Sequence, residues 1–337
     1  MAKISRYIVP ALAVVVLGAW GAQGKDLNHV KIAYSPNLCQ APLHIAVEKG
    51  FFEAEGVKAE NIQVDAAHVQ EAIGAGQVDV GAGLISKFLQ PVENGLPIKF
   101  VFGLHKGCIH VLVPKDSPIK TIAQLKGKRV GVPGLADAGT LILKRALTME
   151  GISVDVKNSE VEFIVYERNN LPQVLEKGLV DAIALGDPQA SIVAEQLNLV
   201  KLIDTSKTAP FNEEYCCAIF LTAKFAKKNP ELAAQVTKAL LKASAWVKAH
   251  PEEAAKIQVE KKYVAGNAEF NAKLLRDYDY KPSVQGGYEA IKRNTEQLSA
   301  IGILKKGTDA KAFSDRVFLF QKGVPDSYSA KDVENVK

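Results

Sequence analysis

The feature that most constrains the fold of this 337-residue sequence is an alternation of short apolar strands with helical stretches, which occurs twice in succession. The first alternation begins with the strand-like His29–Tyr34 and ends with residues 98–103. The second follows the strand-like Ile109–Pro114 and contains the strongly helical residues 140–150. This pattern is typical of α/β sheets covered by helices. We therefore predict an α/β protein with two similar lobes.

A short internal repeat supports the two lobes. Gly-x-Val-Asp occurs at residues 76–79 and again at residues 178–181, each time before an apolar strand. From residue 230 onward the apolar residues fall at helical spacing, so the last third of the chain is predicted to be helical. Ligands of open α/β sheets bind beyond the carboxyl ends of the strands. Two facing lobes would enclose such a site in one cleft with a hinge.

The N-terminus predicts export. Lys3 and Arg6 precede an uncharged apolar run at residues 7–20, and residues 22–24 fit a cleavage site between small residues. This arrangement is typical of a secretory signal peptide, which we assign to residues 1–24. The run is shorter than the roughly 20 apolar residues of a membrane-spanning helix. We therefore expect a periplasmic protein.

Charge and motifs argue against several functions. The chain has 42 Lys and Arg residues against 37 Asp and Glu residues, without a long basic run, so nucleic-acid binding has no support. No Walker loop, His-Glu-x-x-His motif or Ser-His-Asp order is present. We predict a monomer that is not an enzyme.

An ordered series of short motifs covers about residues 30–225. Its members are APLHIA at 41–46, KGFFEAEGV at 49–57, AGQVDVG at 75–81, GLPIK at 95–99, DSPIK at 116–120, LKGKRV at 125–130, GLVDA at 178–182 and GDP at 186–188. Together they resemble the periplasmic solute-binding proteins of nitrate, taurine and alkanesulfonate ABC importers, a family that is also similar to thiamine-pyrimidine proteins.

The resemblance implies a periplasmic binding protein type II fold, in which two α/β lobes are joined by a two-crossing hinge. The crossings are expected near residues 108–114 and 209–217. Lobe I would comprise residues 25–112, lobe II residues 113–214, and residues 215–337 would return to lobe I and add the C-terminal helices. The implied function is capture of a small molecule in the cleft and its delivery to an ABC permease of the inner membrane.

Two loops that precede helices, at residues 35–41 and 133–140, are candidates for the ligand site. Helix starts offer unpaired N–H groups and a partial positive charge, which suit a sulfonate, carboxylate or oxyanion. The alternative for both loops is an ordinary strand–helix turn. For the acidic residue at 187, which follows a strand of the second lobe, a helix cap is an equal alternative. The candidate ligand-binding residues are Asn37, Cys39, Gln40, His44, Gly83, Ser86, Lys106, Cys108, Ala138, Gly139, Thr140, Asp187 and Tyr215.

The four cysteines, Cys39, Cys108, Cys216 and Cys217, all fall on the cleft side of the predicted fold. Three interpretations remain open: one or two disulfides, a thiolate-bound metal or iron–sulfur species, and free apolar side chains. In the metal interpretation His105 or His110 could add an imidazole. Because Cys-x-x-Cys spacing is absent, no cofactor is assigned.

An enzyme and a sensor are the alternative functions. Tyr215-Cys216-Cys217 resembles the start of the iron-binding cysteine run of fungal thiamine pyrimidine synthases, but the later cysteines are replaced by Ala218 and Ile219. The lysine and histidine of those enzymes, which use pyridoxal phosphate as substrate, would fall near Gly83 and Lys87, where their chemistry is not preserved. A sensory ectodomain could use the same fold without transport.

Overall fold

A computed structural model describes residues 28–65 and 68–334, so the predicted signal peptide at residues 1–24 lies outside the described residues. The strands are β1 (His29–Tyr34), β2 (Lys58–Gln63), β3 (Val80–Leu84), β4 (Ile98–His105), β5 (Ile109–Pro114), β6 (Arg129–Val132), β7 (Glu162–Val165), β8 (Ala182–Gly186), β9 (Leu199–Asp204) and β10 (Cys217–Thr222).

The helices cover the sheets and form most of the last third of the described chain. They are α1 (Ala41–Glu48), α2 (Phe51–Ala54), α3 (Val69–Gly74), α4 (Ile85–Glu93), α5 (Ala138–Met149), α6 (Leu171–Glu176), α7 (Gln189–Gln196), α8 (Ala223–Lys228), α9 (Pro230–Ala249), α10 (Pro251–Glu260), α11 (Ala268–Asp277), α12 (Val284–Ala300) and α13 (Ala310–Val317). Among the described residues, no helix combines the length and the apolar character needed to cross a membrane.

The strands form two five-stranded mixed sheets, one in each lobe. The first has the order β2-β1-β3-β10-β4 and the second the order β7-β6-β8-β5-β9. In the first sheet β1 pairs in parallel with β2 and β3, and β10 is antiparallel to both β3 and β4. In the second, β5 is antiparallel to β8 and β9. Each sheet therefore has one antiparallel strand inserted beside parallel ones.

The chain passes between the sheets twice, at residues 106–108 and at residues 205–216. Strand β5 pairs only within the second sheet, with Ile109 opposite Gly186 and His110 opposite Asp204. The first passage is therefore earlier than the boundary expected at residue 112, and lobe II takes in all of β5. The second passage ends near the boundary expected at residue 214.

The core is built from strands that are buried on both faces. All six residues of β10 are buried, as are five of the six in β5. Such strands are mostly apolar rather than alternating, because helices cover both faces of the sheet. The apolar core is continuous from one lobe to the other through the passages between them, since Cys108 and Cys217 belong to the same cluster of buried side chains as Val130 and Phe220. The two lobes are thus in direct contact.

Candidate functional site

Side chains from four separate segments meet where the chain passes between the lobes. Cys39 lies in the turn before α1, His105 ends β4, Cys108 lies in the first passage and Cys217 begins β10. Their sulfur and nitrogen ligand atoms all lie within 4.8 Å of one another, and all four residues are buried. With the adjacent Cys216, they form what we call the thiol–imidazole cluster.

The sulfur atoms are close together but not bonded. The Cys39 and Cys217 Sγ atoms are 4.0 Å apart, and those of Cys108 and Cys216 are 3.5 Å apart. A disulfide requires about 2.05 Å, so all four cysteines are free thiols in this structure. Hydrogen bonds with Cys108 and Cys217 hold the pKa of the Cys39 thiol well below its usual range. The structure thus brings together the four cysteines that the sequence analysis singled out.

The backbone around Cys39 is fixed by polar contacts. The Asn37 side-chain oxygen accepts a hydrogen bond from the Cys39 amide at 3.1 Å, and the Tyr280 hydroxyl donates to the Cys39 carbonyl at 2.9 Å. The Gln40 side chain connects the start of this loop to strand β3, because it accepts a hydrogen bond from the Ser35 amide and donates one to the Ala82 carbonyl. Asn37 and Gln40, which were predicted to bind a ligand, therefore position the cysteine loop.

Cys108 has an unusual backbone conformation. Its φ of 139° lies in the region that favours glycine, and its amide donates to the Thr205 hydroxyl at 3.1 Å. Strained residues of this kind persist only where the surroundings hold them, and they concentrate at functional sites. Next to it, Gly107 lies against Ser206 of the second passage, where an added Cβ would come within 2.6 Å of the serine Cβ. The two passages are therefore in van der Waals contact at this point.

His105 and Cys216 complete the cluster in different ways. The His105 ring is fully buried, and its Nδ1 lies 3.2 Å from the Lys106 carbonyl oxygen. Its Nε2 has no hydrogen-bond partner among residues 28–65 and 68–334. Cys216 instead directs its sulfur to the Gly107 carbonyl at 3.1 Å, which requires a thiol proton. Burial raises the pKa of the Cys216 thiol well above its usual range.

His110 is buried between two carboxylates. Its Nε2 lies 2.8 Å from Asp187 Oδ2, and its Nδ1 lies 3.7 Å from Asp204. Asp187 also accepts a hydrogen bond from the Ser191 amide in the first turn of α7. Asp187 therefore acts both as a helix cap, one of its two interpretations from sequence, and as the partner of a histidine at the start of lobe II.

A second polar contact joins the lobes at Arg145, on α5 of lobe II. Its guanidinium donates to Glu214 Oε2 at 2.6 Å and to Asn294 Oδ1 at 3.1 Å, and it also bonds the Gln297 side chain. Asn294 and Gln297 belong to α12 of lobe I. Burial lowers the pKa of Arg145, while Glu214 opposes this effect. We call these four residues the Arg145 network.

A small cavity of about 10 Å³ lies between the lobes beside this network, near the smallest volume that holds a water molecule. Ser86 and Tyr215 from the predicted site contribute to its wall, as does Cys216. The Ser86 hydroxyl is buried without a partner in the described part of the chain. The cavity is lined by Leu84, Ser86, Ile142, Arg145, Thr205, Phe211, Glu214, Tyr215, Cys216 and Asn294.

Several other predicted site residues make contacts within one lobe. His44 accepts a hydrogen bond from Gln258 at 2.9 Å and stacks on Tyr263 inside lobe I. Lys106 places its ammonium group 5.9 Å from the centre of the Tyr215 ring. Gly83 packs against the Phe88 ring, where no room is left for a larger side chain. In this conformation all three residues thus contact other residues of the protein.

The start of α5 is closed in a similar way. The Asp137 side chain accepts from the Gly139 amide at 3.1 Å, and the Thr140 hydroxyl donates to the Gly134 carbonyl at 2.7 Å. Ala138 is buried, and Gly139 contacts the backbone of Ala184. The Gly139 amide and the Thr140 hydroxyl of the predicted helix-start site thus have partners within the protein.

Sequence reasoning missed the Arg145 network. Arg145 follows Leu141 by four residues, so it falls on the apolar face of a helix that was correctly expected at residues 140–150. A charge on that face was the available signal. Glu214 and Asn294 gave no such signal. Glu214 lies in a connecting segment, and Asn294 lies on a helix that is 149 residues further along the chain than Arg145.

Comparisons with known proteins agree with this architecture. A protein of Bacillus subtilis, provisionally named as an aliphatic sulfonates-binding protein, is 26% identical over 343 residues, covering 97% of this chain and 93% of its own length. The 4-amino-5-hydroxymethyl-2-methylpyrimidine phosphate synthase of Aspergillus parasiticus is 27% identical over 239 residues, covering 67% of this chain and 68% of its own.

The crystal structure of the periplasmic aliphatic sulphonate binding protein from Escherichia coli is similar to this chain with a TM-score of 0.71 and 17% identity. The similarity covers 89% of this chain and 95% of that one. It confirms the predicted periplasmic binding protein fold. The NMT1/THI5-like family matches residues 37–254, and this confirms the resemblance seen in the sequence motifs. The chain belongs to the NMT1/THI5-like family.

Proposed function

We propose that this protein is the substrate-binding component of an ABC importer, and that it captures a small solute between its two lobes. The observation that carries the proposal is the polar, two-sided wall of the cavity between the lobes. Arg145 comes from lobe II, Ser86 and Asn294 come from lobe I, and Glu214 comes from the passage that joins the lobes. A solute bound there would contact both lobes, which is the requirement for ligand-driven closure.

The size of the cavity supports a hinge mechanism. A volume of about 10 Å³ admits no solute larger than water, so entry requires the lobes to separate. The contacts that would have to break include the Arg145 hydrogen bonds to Asn294 and Gln297 and the Lys273–Glu195 ion pair at the surface. A solute that supplies equivalent acceptors to Arg145 would hold the lobes together in their place.

A sulfonate or other oxyanion is the solute class we favour. Sulfonate binding is the activity in the names of the Bacillus and Escherichia coli proteins. Arg145 has the donor geometry for such groups, since a guanidinium forms paired hydrogen bonds to oxyanions. Glu214 already occupies part of this guanidinium, so an anion would have to displace it or share it.

The cellular setting follows from the same proposal. We infer export by the signal peptide at residues 1–24, a periplasmic location, action as a monomer and delivery to a permease of the inner membrane. The periplasmic name of the Escherichia coli protein supports the location.

Calorimetry and small-angle scattering test this function. Taurine, methanesulfonate and nitrate are titrated into the protein, and the radius of gyration is measured with and without each. We expect at least one to bind and to reduce the radius of gyration. The variant Arg145→Gln should lose more than about tenfold in affinity, as expected for losing a hydrogen bond to a charged group. Arg168→Gln is the matched control, since Arg168 pairs with Asp137 at the surface of the same lobe.

Failure of all these solutes to bind or to compact the protein would contradict the oxyanion proposal. The enzyme alternative, raised by the Aspergillus relative, is tested by recovering the bound solute. We expect mass spectrometry to show it chemically unchanged, and a converted product would contradict the binding role.

A further inference from the structure

The thiol–imidazole cluster has the dimensions of a metal site. A tetrahedral metal ion with metal–sulfur bonds of about 2.3 Å holds its sulfur ligands about 3.8 Å apart. The Cys39 and Cys217 sulfur atoms are 4.0 Å apart, and the ligand atoms of Cys39, His105, Cys108 and Cys217 all lie within 4.8 Å of one another. The four ligand atoms are therefore close enough together to share one ion.

The donor types agree with this geometry. Three sulfurs and one imidazole form the Cys₃His set that is common in structural zinc sites, and soft thiolates select thiophilic ions over Mg²⁺ or Ca²⁺. All four residues are at most 3% exposed, so water does not compete for the coordination positions. Tyr280, which is fully buried, holds the Cys39 carbonyl and so fixes the loop that carries the first sulfur.

His105 provides an independent indication of a ligand. Its ring is fully buried, its Nδ1 faces the Lys106 carbonyl, and its Nε2 has no partner in the described part of the chain. A histidine that binds a metal usually has this arrangement, with one nitrogen on a backbone carbonyl and the other on the ion. A buried ring nitrogen without any partner is otherwise costly. The strained backbone of Cys108 is a second feature that sets a donor in place.

We propose that Cys39, His105, Cys108 and Cys217 form a mononuclear, tetrahedral site for a thiophilic metal ion of the Zn²⁺ type. Only Cys217 of these four belongs to the Cys-Cys pair that the sequence singled out. Cys216 lies outside the site, because its thiol donates to the Gly107 carbonyl. This set differs from the one expected from sequence, in which Cys216 was a ligand and His105 or His110 were optional. His110 is held by Asp187 instead.

Binding at this site would release the thiol protons of the three cysteines to solvent and would join lobe I to the first passage. Cys39, His105 and Cys217 belong to lobe I, whereas Cys108 directly precedes β5 of lobe II. The ion would therefore restrain the hinge. The inference goes beyond the proposed function, because the site is separate from the cavity beside Arg145 and needs no solute.

The test uses the full mature chain, reduced and stripped of metal by a chelator under argon. Zn²⁺ is titrated against a competing chelator, bound metal is measured by mass spectrometry, and reactive thiols are counted. We expect one Zn²⁺ per chain and protection of three of the four thiols. Co²⁺ should give the charge-transfer absorption of a tetrahedral thiolate site. A parallel titration with Cu⁺ reports which thiophilic ion the site prefers.

Cys39→Ser and Cys217→Ser should each weaken Zn²⁺ binding by more than about a hundredfold, because losing a mere supporting residue already costs 10–100-fold. Cys216→Ser is the matched control, since its hydroxyl retains the donor to Gly107. It should bind one Zn²⁺ with nearly unchanged affinity. Far-UV circular dichroism checks that each variant is folded. If a variant does not fold, the number of thiols that Zn²⁺ protects in the unmodified protein still tests the site.

Three results would overturn the proposal. The first is that the reduced protein binds neither Zn²⁺ nor Cu⁺. The second is that Zn²⁺ affinity is the same in Cys39→Ser as in the unmodified chain. The third is that Cys216→Ser abolishes binding while Cys39→Ser does not, which would assign the sulfurs to a different centre. Loss of metal binding leaves the solute titrations unaffected, so the two proposals fail separately.

Discussion

The two lobes meet in two regions of opposite chemistry. The thiol–imidazole cluster consists of polarisable sulfur atoms and one ring, close together but weakly bonded to each other. The Arg145 network consists of a full positive and a full negative charge that are joined by short hydrogen bonds and backed by two side-chain amides. Both regions are almost fully buried. The two regions therefore differ not in burial but in how well their polar atoms are paired by hydrogen bonds.

The difference shows what each region can still bind. In the Arg145 network the strong donors are already matched to acceptors, and a ligand must replace partners to enter. In the thiol–imidazole cluster the imidazole keeps an unpaired nitrogen and the thiols make only weak sulfur–sulfur hydrogen bonds, so an ion would replace weak contacts with strong ones. Charge pairing thus stabilises one conformation, while the cluster has unused capacity to coordinate an ion.

The largest expected effect comes from breaking the ion pair. Arg145→Ala should lower the free energy of unfolding by about 3–5 kcal/mol, because it removes the buried partner of the Glu214 carboxylate and leaves only the half-exposed Arg293 guanidinium at 3.7 Å. Urea denaturation followed by fluorescence measures the change. The double variant Arg145→Met with Glu214→Leu should recover most of the loss, since it removes both charges.

A surface ion pair is the control for this experiment. Arg168→Ala breaks the pair with Asp137. The Arg168 side chain is 43% exposed, so the loss should cost less than about 1 kcal/mol. If Arg145→Ala and Arg168→Ala were equally mild, the Arg145 network would not be the strong contact between the lobes that its geometry indicates.

Metal addition gives the next largest effect and asks whether the two regions are coupled. Zn²⁺ at a hundredfold excess over its dissociation constant should raise the free energy of unfolding by at most about 2.7 kcal/mol, and any binding of Zn²⁺ to the cysteines of the unfolded chain reduces this gain. We expect the same gain in the double variant of Arg145 and Glu214 and no gain in Cys39→Ser.

Cys216 contacts both regions, since its sulfur lies 3.5 Å from the Cys108 sulfur and the residue lines the cavity beside Arg145. A smaller gain in the double variant would show that they are coupled through Cys216.

These regions also differ in how far the sequence predicted them. The bounds of β1 and β5 were predicted correctly, because apolar patterning depends on local spacing. Strand β9 was not predicted, since it lies at the edge of its sheet and only two of its six residues are buried. The convergence of the cysteines followed from placing each one at a strand end or passage. The Arg145–Asn294 contact did not follow, because nothing local in sequence specifies a partner 149 residues away.

Acid should weaken the helix that supports the thiol–imidazole cluster more than the helices of the Arg145 network. Burial lowers the pKa of His44 on α1 from 6.5 to about 3, whereas α5 and α12 contain no histidine. Above pH 6.5 the ring is neutral in both states. Between pH 6.5 and about 3 only the unfolded chain binds the proton, so the free energy of unfolding falls by at most about 1.4 kcal/mol per pH unit.

Urea denaturation of the metal-free protein between pH 7 and 5 measures this slope. His44→Gln should reduce it, and the exposed His68→Gln should leave it unchanged. An unchanged slope in His44→Gln would mean that other groups cause the loss of stability in acid.

The smallest expected effects come from the hydroxyl and amide that support each region. Tyr280→Phe removes the 2.9 Å hydrogen bond to the Cys39 carbonyl and should cost about 1 kcal/mol, because one neutral hydrogen bond is lost. Asn294→Leu removes an acceptor from a charged donor and should cost about 1.5–3 kcal/mol.

The two substitutions differ more in their effect on Zn²⁺ binding. Since Tyr280 holds the loop of a proposed metal ligand, Tyr280→Phe should weaken Zn²⁺ binding by about tenfold, whereas Asn294→Leu should not change it. Paired Zn²⁺ titrations and urea denaturation of both variants measure this. If both variants lost the same Zn²⁺ affinity, the metal site would depend on closure of the lobes as a whole rather than on the Cys39 loop. The distinction between the two regions would then not hold.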